Sequence, residues 1–195
     1  MKLTKVLTSL AVVAAGLMAF AAGASATTIT APAGTAYTGT IKASAEGHAV
    51  LDNPIAKIEC ASTVEGKVEK HGSGINAAGK ISSLTFGSPV GTCTNSWHVT
   101  VVSPGEITIQ VISPGVGTVF VHGSTVEATR FGITCRYATS GTHIGTLTGS
   151  IFGGSPTFHI LGEIPFHSGS GLCGSGATTW TGSYVITSPS TLTID

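Results

Sequence analysis

Two cysteine-bounded segments of similar length and similar ending constrain this chain more than any other feature. In the first, Ile58-Glu59-Cys60 leads to Cys93, Trp97 and the run Ser103-Pro104-Gly105-Glu106-Ile107-Thr108-Ile109. In the second, Ile133-Thr134-Cys135 leads to Cys173, Trp180 and Ser188-Pro189-Ser190-Thr191-Leu192-Thr193-Ile194. Residues from about 58 to 109 and from 133 to 194 therefore read as two copies of one unit. A duplicated unit carries its internal bond with it, which selects Cys60–Cys93 and Cys135–Cys173 from the three pairings open to four cysteines. These bonds would close loops of 33 and 38 residues. Chain entropy gives each roughly 4 kcal/mol as an upper figure, against a whole-domain stability of about 5–15 kcal/mol. A four-thiolate zinc site is the competing reading, but such sites draw ligands in closely spaced pairs and the chain has no Cys-x-x-Cys.

Between and within the units the local pattern has period two. Thr40 to Ser44, Lys67 to Lys70, His98 to Val101, Ile107 to Val111, Thr118 to His122, Thr146 to Ile151 and Ser183 to Thr187 all put β-branched, apolar or aromatic side chains on alternate faces. Pro-Gly and Gly-rich breaks at Ser103-Pro104-Gly105, Ser113-Pro114-Gly115, Gly153-Gly154-Ser155-Pro156 and Gly169-Ser170-Gly171 fall at intervals that suit a sandwich or a barrel. No stretch after the first 26 residues repeats apolar residues at helical spacing with cap signals, and glycine is too dense for a long helix. The expected class is all-β, an antiparallel sandwich or barrel-like domain built from two related halves. The link from Val111 to Arg130 is itself strand-like, so the halves share one core. Residues 27 to 57 add an extended arm before the first cysteine. It reads as an ordinary first strand, or alternatively as a donor strand that completes a neighbouring copy of the chain.

The amino terminus has the three parts of a secretory signal: Lys2 and Lys5, an apolar run from Val6 to Ala22, and the small residues Ala24-Ser25-Ala26. Residues 1–26 are thus expected to be a cleaved signal peptide and residues 27–195 a single β domain, with no later membrane span. The expected location is secreted, extracellular or in the cell envelope. Without Lys2 and Lys5 the chain keeps seven basic residues against nine acidic ones. So weak a field neither gathers phosphates nor steers toward an anionic membrane, which makes nucleic acid a poor partner. The expected partners are the chain itself, through the arm, or envelope components.

Recognisable catalytic machinery is missing. A serine hydrolase needs a nucleophile, a histidine and an orienting acid, yet no Gly-x-Ser-x-Gly elbow occurs and the only aspartates are Asp52 and Asp195. Glu106, Glu127 and Glu163 are the acids to weigh for glycoside hydrolysis, which requires a carboxylate pair at fixed separation. His122, His143, His159 and His167 crowd the second half without His-x-His or His-Glu-x-x-His spacing, and read as solvated strand residues. The site to inspect first is His143, His159 and His167 near Glu163. Trp97 and Trp180 follow the second cysteine of each unit, where a large ring packs beside a disulfide in a β core. A sugar-stacking platform would need those rings exposed. Lys57-Ile58-Glu59 and Glu65 to Lys70 read as a solvated strand face.

The Cys, Gly-rich β region, Cys, Trp and closing Ser-Pro strand, and above all Thr179-Trp180-Thr181-Gly182-Ser183-Tyr184 before Ser188-Pro189, resemble a group of small secreted bacterial β-proteins. A more distant similarity is to exported activator proteins of alkane oxidation. Neither resemblance carries over a catalytic residue or a cofactor. The expected function is a non-enzymatic structural or adhesive protein at or outside the cell surface. The alternatives are a secreted domain that binds carbohydrate or an apolar compound, and, further off, a hydrolase of unrecognised type. Peptide mapping under non-reducing conditions should recover fragments joining Cys60 to Cys93 and Cys135 to Cys173; a Cys60–Cys135 fragment would refute the duplication argument.

Overall fold

A computed structural model describes residues 27–30, 35–71, 76–150 and 154–195; the expected signal peptide lies outside the described residues. The alternating segments form strands, and several are longer than the local pattern implies. In chain order they are β1 (Ile29–Thr30), β2 (Thr40–Ala45), β3 (Ala49–Asn53), β4 (Ala56–Cys60), β5 (Ser62–Lys70), β6 (Asn76–Phe86) and β7 (His98–Ser103). There follow β8 (Glu106–Ser113), β9 (Val116–Arg130), β10 (Ile133–Thr148), β11 (Thr157–Ile164), β12 (Phe166–Gly169), β13 (Thr178–Ser188) and β14 (Thr193–Ile194). Short 3-10 turns at Thr94–Ser96 and Gly171–Cys173 are the helical elements among the described residues.

Eight of these strands close an antiparallel barrel in the order β11-β10-β9-β8-β6-β5-β2-β13, and the pairing of β13 with β11 completes the ring. The expected arm is an interior member of it, since β2 lies between β13 and β5. Three long strands run on past one end of the ring and recruit further partners there. The start of β13 pairs with β3, which pairs with β4; the start of β10 pairs with β12; the end of β9 pairs with β7. We call this outer layer the roof. At the opposite end, β1 and β14 form a separate two-stranded sheet, which we call the floor.

The bend between ring and roof is written into β9 and β10. Inward residues of β9 are Val119 and Val121 before the bend, and Ser124, Val126 and Ala128 after it, so the inward phase slips by one residue. The extra residue is Gly123, at φ 66°, a left-handed conformation that glycine adopts without a Cβ clash. A bulge leaves backbone groups without ladder partners. Here the buried Thr139 hydroxyl of β10 supplies them, accepting from the Ser124 amide at 2.9 Å and donating to the Ser124 carbonyl at 3.4 Å.

Both disulfides form as the duplication argument requires, Cys60–Cys93 and Cys135–Cys173. Both staple the roof: Cys60 ends β4, and Cys135 lies opposite Gly169 of β12. Disulfides of this kind persist outside the reducing cytosol. Between roof and ring sits an aromatic layer. Trp180 meets Phe86 edge-on at 5.6 Å between centroids and Tyr184 at 6.4 Å, and the Tyr184 hydroxyl donates to Ser62 Oγ at 2.9 Å. Burial pushes the Tyr184 phenol from 10.0 up to about 12, against the opposing effect of its hydrogen bond with Ser62.

A raised phenol favours the neutral form in the folded protein, so its contribution to stability is whole below pH 10 and is lost as pH climbs through about 12. Urea titrations should show stability falling by up to about 3 kcal/mol over that window. Tyr184→Phe should flatten this alkaline slope and cost about 1–3 kcal/mol at neutral pH, because it strands the buried Ser62 hydroxyl.

Candidate functional site: an apolar barrel lumen

Inward-facing residues of the eight ring strands should fill a barrel of this size, because eight strands leave an interior just wide enough for side chains or one small ligand. The lumen is unequally filled. Ile107 and Ile109 of β8, Val119 of β9, Leu147 of β10 and Phe158 of β11 are large, whereas β2, β5 and β6 set the small Ala43, Gly66, Ala77 and Gly79 among their larger inward residues. At Gly79 the strands run so close that a Cβ would press on the Lys67 carbonyl. The mismatch leaves a void of ≈ 70 Å³, also bounded by Ile29 of the floor and by Ile41, Val64, Val68, Ile81 and Ile186. A second void of ≈ 20 Å³ lies toward the aromatic layer; it shares Val64, Ile81, Ile107 and Phe158 with the first and reaches Trp180, Ser124 and Thr139. The Thr139 hydroxyl is already engaged by the Ser124 backbone. Against the wall of the larger void there is hydrocarbon in almost every direction.

The floor that closes this space is made by the ends of the described chain. Ile29 and Thr30 pair with Ile194 and Thr193, and the Thr30 and Thr193 hydroxyls are hydrogen-bonded to each other. Thr28 and Asp195 exchange backbone hydrogen bonds at 2.6 and 2.9 Å. Ile29, Leu192 and Ile194 are fully buried. The floor hangs from the barrel rim by the Gly115 amide to the Ile194 carbonyl at 2.8 Å, the Ser150 amide to the Leu192 carbonyl at 2.6 Å, and the Val111 amide to Thr27 Oγ1 at 3.2 Å.

The residues weighed for catalysis are dispersed. His159 and Ser183 do meet, Nδ1 to Oγ at 3.1 Å, but on the exposed outer surface across β11 and β13. Glu163 lies four residues along the same strand, about 13 Å away at the usual strand rise, and cannot orient that histidine. His143 Nε2 is 3.2 Å from the Gly145 carbonyl oxygen and its ring leans on Phe120. His167 is exposed on β12, and His122 is exposed at the β9 bulge. Glu127 forms an ion pair with Arg136 at 2.6 Å, and Glu106 lies on β8. Among the described residues no three His, Cys, Asp or Glu side chains are grouped to hold a metal. The charged segments form an exposed face of pairs, Lys42–Glu65, Lys57–Glu59 and Lys80–Glu69, at 2.5, 3.4 and 4.0 Å. Pairs so exposed contribute little to stability.

Both tryptophans are buried. Trp180 packs on Phe86 and Tyr184, and the Arg130 guanidinium lies 5.9 Å from the Trp97 ring centroid. The same guanidinium lies 4.7 Å from the ring of Phe131, which is 83% exposed at the tip of the β9–β10 turn with φ 48°. No pattern in the sequence singles this tip out. Among the described residues no helix is long and apolar enough to cross a membrane. No protein-family model matches the chain, and no curated protein or solved structure is significantly similar to it.

His159→Ala and Ser183→Ala should each change stability by no more than about 0.5 kcal/mol, as expected of exposed strand positions. An active-site fluorophosphonate should leave Ser183 unlabelled; labelling that His159→Ala prevents would identify a working dyad.

Proposed function

We propose that this chain is an exported, non-enzymatic binding protein that holds a small apolar molecule, or the end of a longer hydrocarbon chain, in the barrel lumen. The observation that carries this reading is the hydrocarbon-walled void left beside the small residues of β2, β5 and β6. Its size sets the ligand class. At ≈ 70 Å³ it is about half of the ~150 Å³ aliphatic cavity known to take benzene or xenon, and far below the ~300–1,000 Å³ of sites for drug-sized molecules. A whole lipid is therefore excluded. Polar ligands are disfavoured too, because a buried hydroxyl or amide without a partner costs about 1–3 kcal/mol. The two disulfides support export, and the scatter of histidines and acids supports a non-catalytic role.

A second reading, a structural or adhesive surface module, is favoured by one observation. Large apolar residues project from turns of the roof: Ile55 between β3 and β4, Phe131 between β9 and β10, and Leu172 between β12 and β13. Phe131 holds a left-handed turn position that disfavours a bulky side chain by about 1–2 kcal/mol, so its placement there is not the cheapest local choice.

Xenon or benzene titrated into the purified protein, followed by methyl chemical shifts of Ile109, Val119 and Leu147, decides between the readings. Saturable shifts confined to these lumen residues are expected. An empty void of this size costs on the order of 1–2 kcal/mol, so Ala77→Leu should hold or raise stability while abolishing the shifts. Absence of saturable uptake by the native protein, together with concentration-dependent self-association lost in Phe131→Ala, would transfer the assignment to the adhesive module.

A further inference from the structure

The two ends of the lumen are closed by different means. At the roof end the way is blocked by the edge-to-face rings of Trp180, Phe86 and Tyr184, and above them lie strands tied by two disulfides. At the floor end closure depends on two residue pairs of β1 with β14, on the Tyr37 amide to the Ile29 carbonyl at 2.7 Å and the bridge of Thr30 with Ala36, on hydrogen bonds to the rim, and on the buried side chains of Thr27, Ile29, Leu192 and Ile194. Ile29 alone of these belongs to the wall of the larger void. A two-stranded sheet outside the ring and without a disulfide lies lower in the local-stability range than a stapled, aromatic-packed layer. We propose that the β1–β14 floor is the door of the lumen: it opens by local unfolding of β1 and β14, admits the apolar ligand past Ile29, and re-forms behind it. The proposal rests on the ligand-binding reading of the lumen for its purpose, though not for its geometry.

Several features favour the floor over a gap between ring strands. Every neighbouring pair in the ring is hydrogen-bonded, so admission through the wall would break a ladder of four or more residue pairs, as in β2–β13, or many more, as in β10–β9. Opening the floor breaks no ring pairing, because β1 and β14 form their own sheet. The bonds broken include those of Thr28 with Asp195, that of the Tyr37 amide with the Ile29 carbonyl, the bridge of Thr30 with Ala36, and those that hang the floor from Gly115, Ser150 and Val111. Thr30 and Thr193 lie directly opposite one another with their hydroxyls in contact, which makes them a natural place for a lock.

Two measurements test the door. Hydrogen exchange of the native protein, without ligand, should show the amides of Thr28, Gly115, Ser150 and Asp195 exchanging at least 100-fold faster than the ladder amides of β9 and β13. Protection of the floor equal to that of the ring overturns the proposal. In the second, Thr30→Cys/Thr193→Cys is compared oxidised and reduced, with benzene as the probe and its association and dissociation rates read by magnetization exchange. Oxidation should slow both rates at least tenfold and leave the affinity within twofold, and mild reduction should restore them. Equal rates in the two forms overturn the door even if benzene binds. Failure of the native protein to bind benzene defeats the lumen reading instead, and the exchange experiment still decides whether the floor opens.

Discussion

Closure of the ring by β11 against β13 is the interaction on which the rest of the structure depends. Eight consecutive residue pairs, from Thr157–Val185 to Ile164–Thr178, join the two strands. Without them the sheet would expose two long edges and its apolar inner face. With them, each inward residue faces a lumen rather than a second sheet. The pairing also fixes Trp180 and Tyr184 at the height where the ring gives way to the roof, because both are inward residues of β13.

From closure follows the asymmetry that gives the lumen its character. A closed ring cannot collapse onto its small residues as an open sheet could, so the deficit of volume at Ala43, Gly66, Ala77 and Gly79 persists as space. The same rigidity demands relief where the long strands leave the ring. Gly123 and the Ser124–Thr139 hydrogen bonds provide it, bending β9 and β10 into the roof without stranding buried backbone groups. The disulfides then secure the roof, whose strands lie outside the closed ring. The floor has no covalent tie.

Much of the fold was legible in the residues. Alternation placed β2, β7, β8 and much of β9 and β13 where they occur, the Pro-Gly breaks marked their ends, and the two cysteine pairs followed from the matching segments. The strand-like link from Val111 to Arg130 holds most of β9, whose phase slip at Gly123 breaks the simple alternation. β3, β4 and β12 are short, and β11 carries Gly162 and Glu163 in a run that reads weakly as strand. The candidate site was less legible. His143, His159, His167 and Glu163 are near in sequence, but strand geometry sends Glu163 about 13 Å from His159 along one strand and leaves His143 and His167 on other strands.

The sequence by itself determined the all-β class, the positions of most turns and the disulfide pairing, because period-two alternation, glycine and proline punctuation and cysteine spacing are local or pairwise properties. Only the tertiary structure decided that the sheet closes, that the arm becomes β2 within its own barrel, and that β1 and β14 meet as a floor. These depend on pairings between residues far apart in the chain, such as Lys42 with Ser188 in the ring and Ile29 with Ile194 in the floor. The lumen belongs to the same category. Each of Ala43, Gly66, Ala77 and Gly79 is an unremarked strand residue on its own, and comes to line a cavity only when the closed ring encloses it with Val119, Leu147 and Phe158.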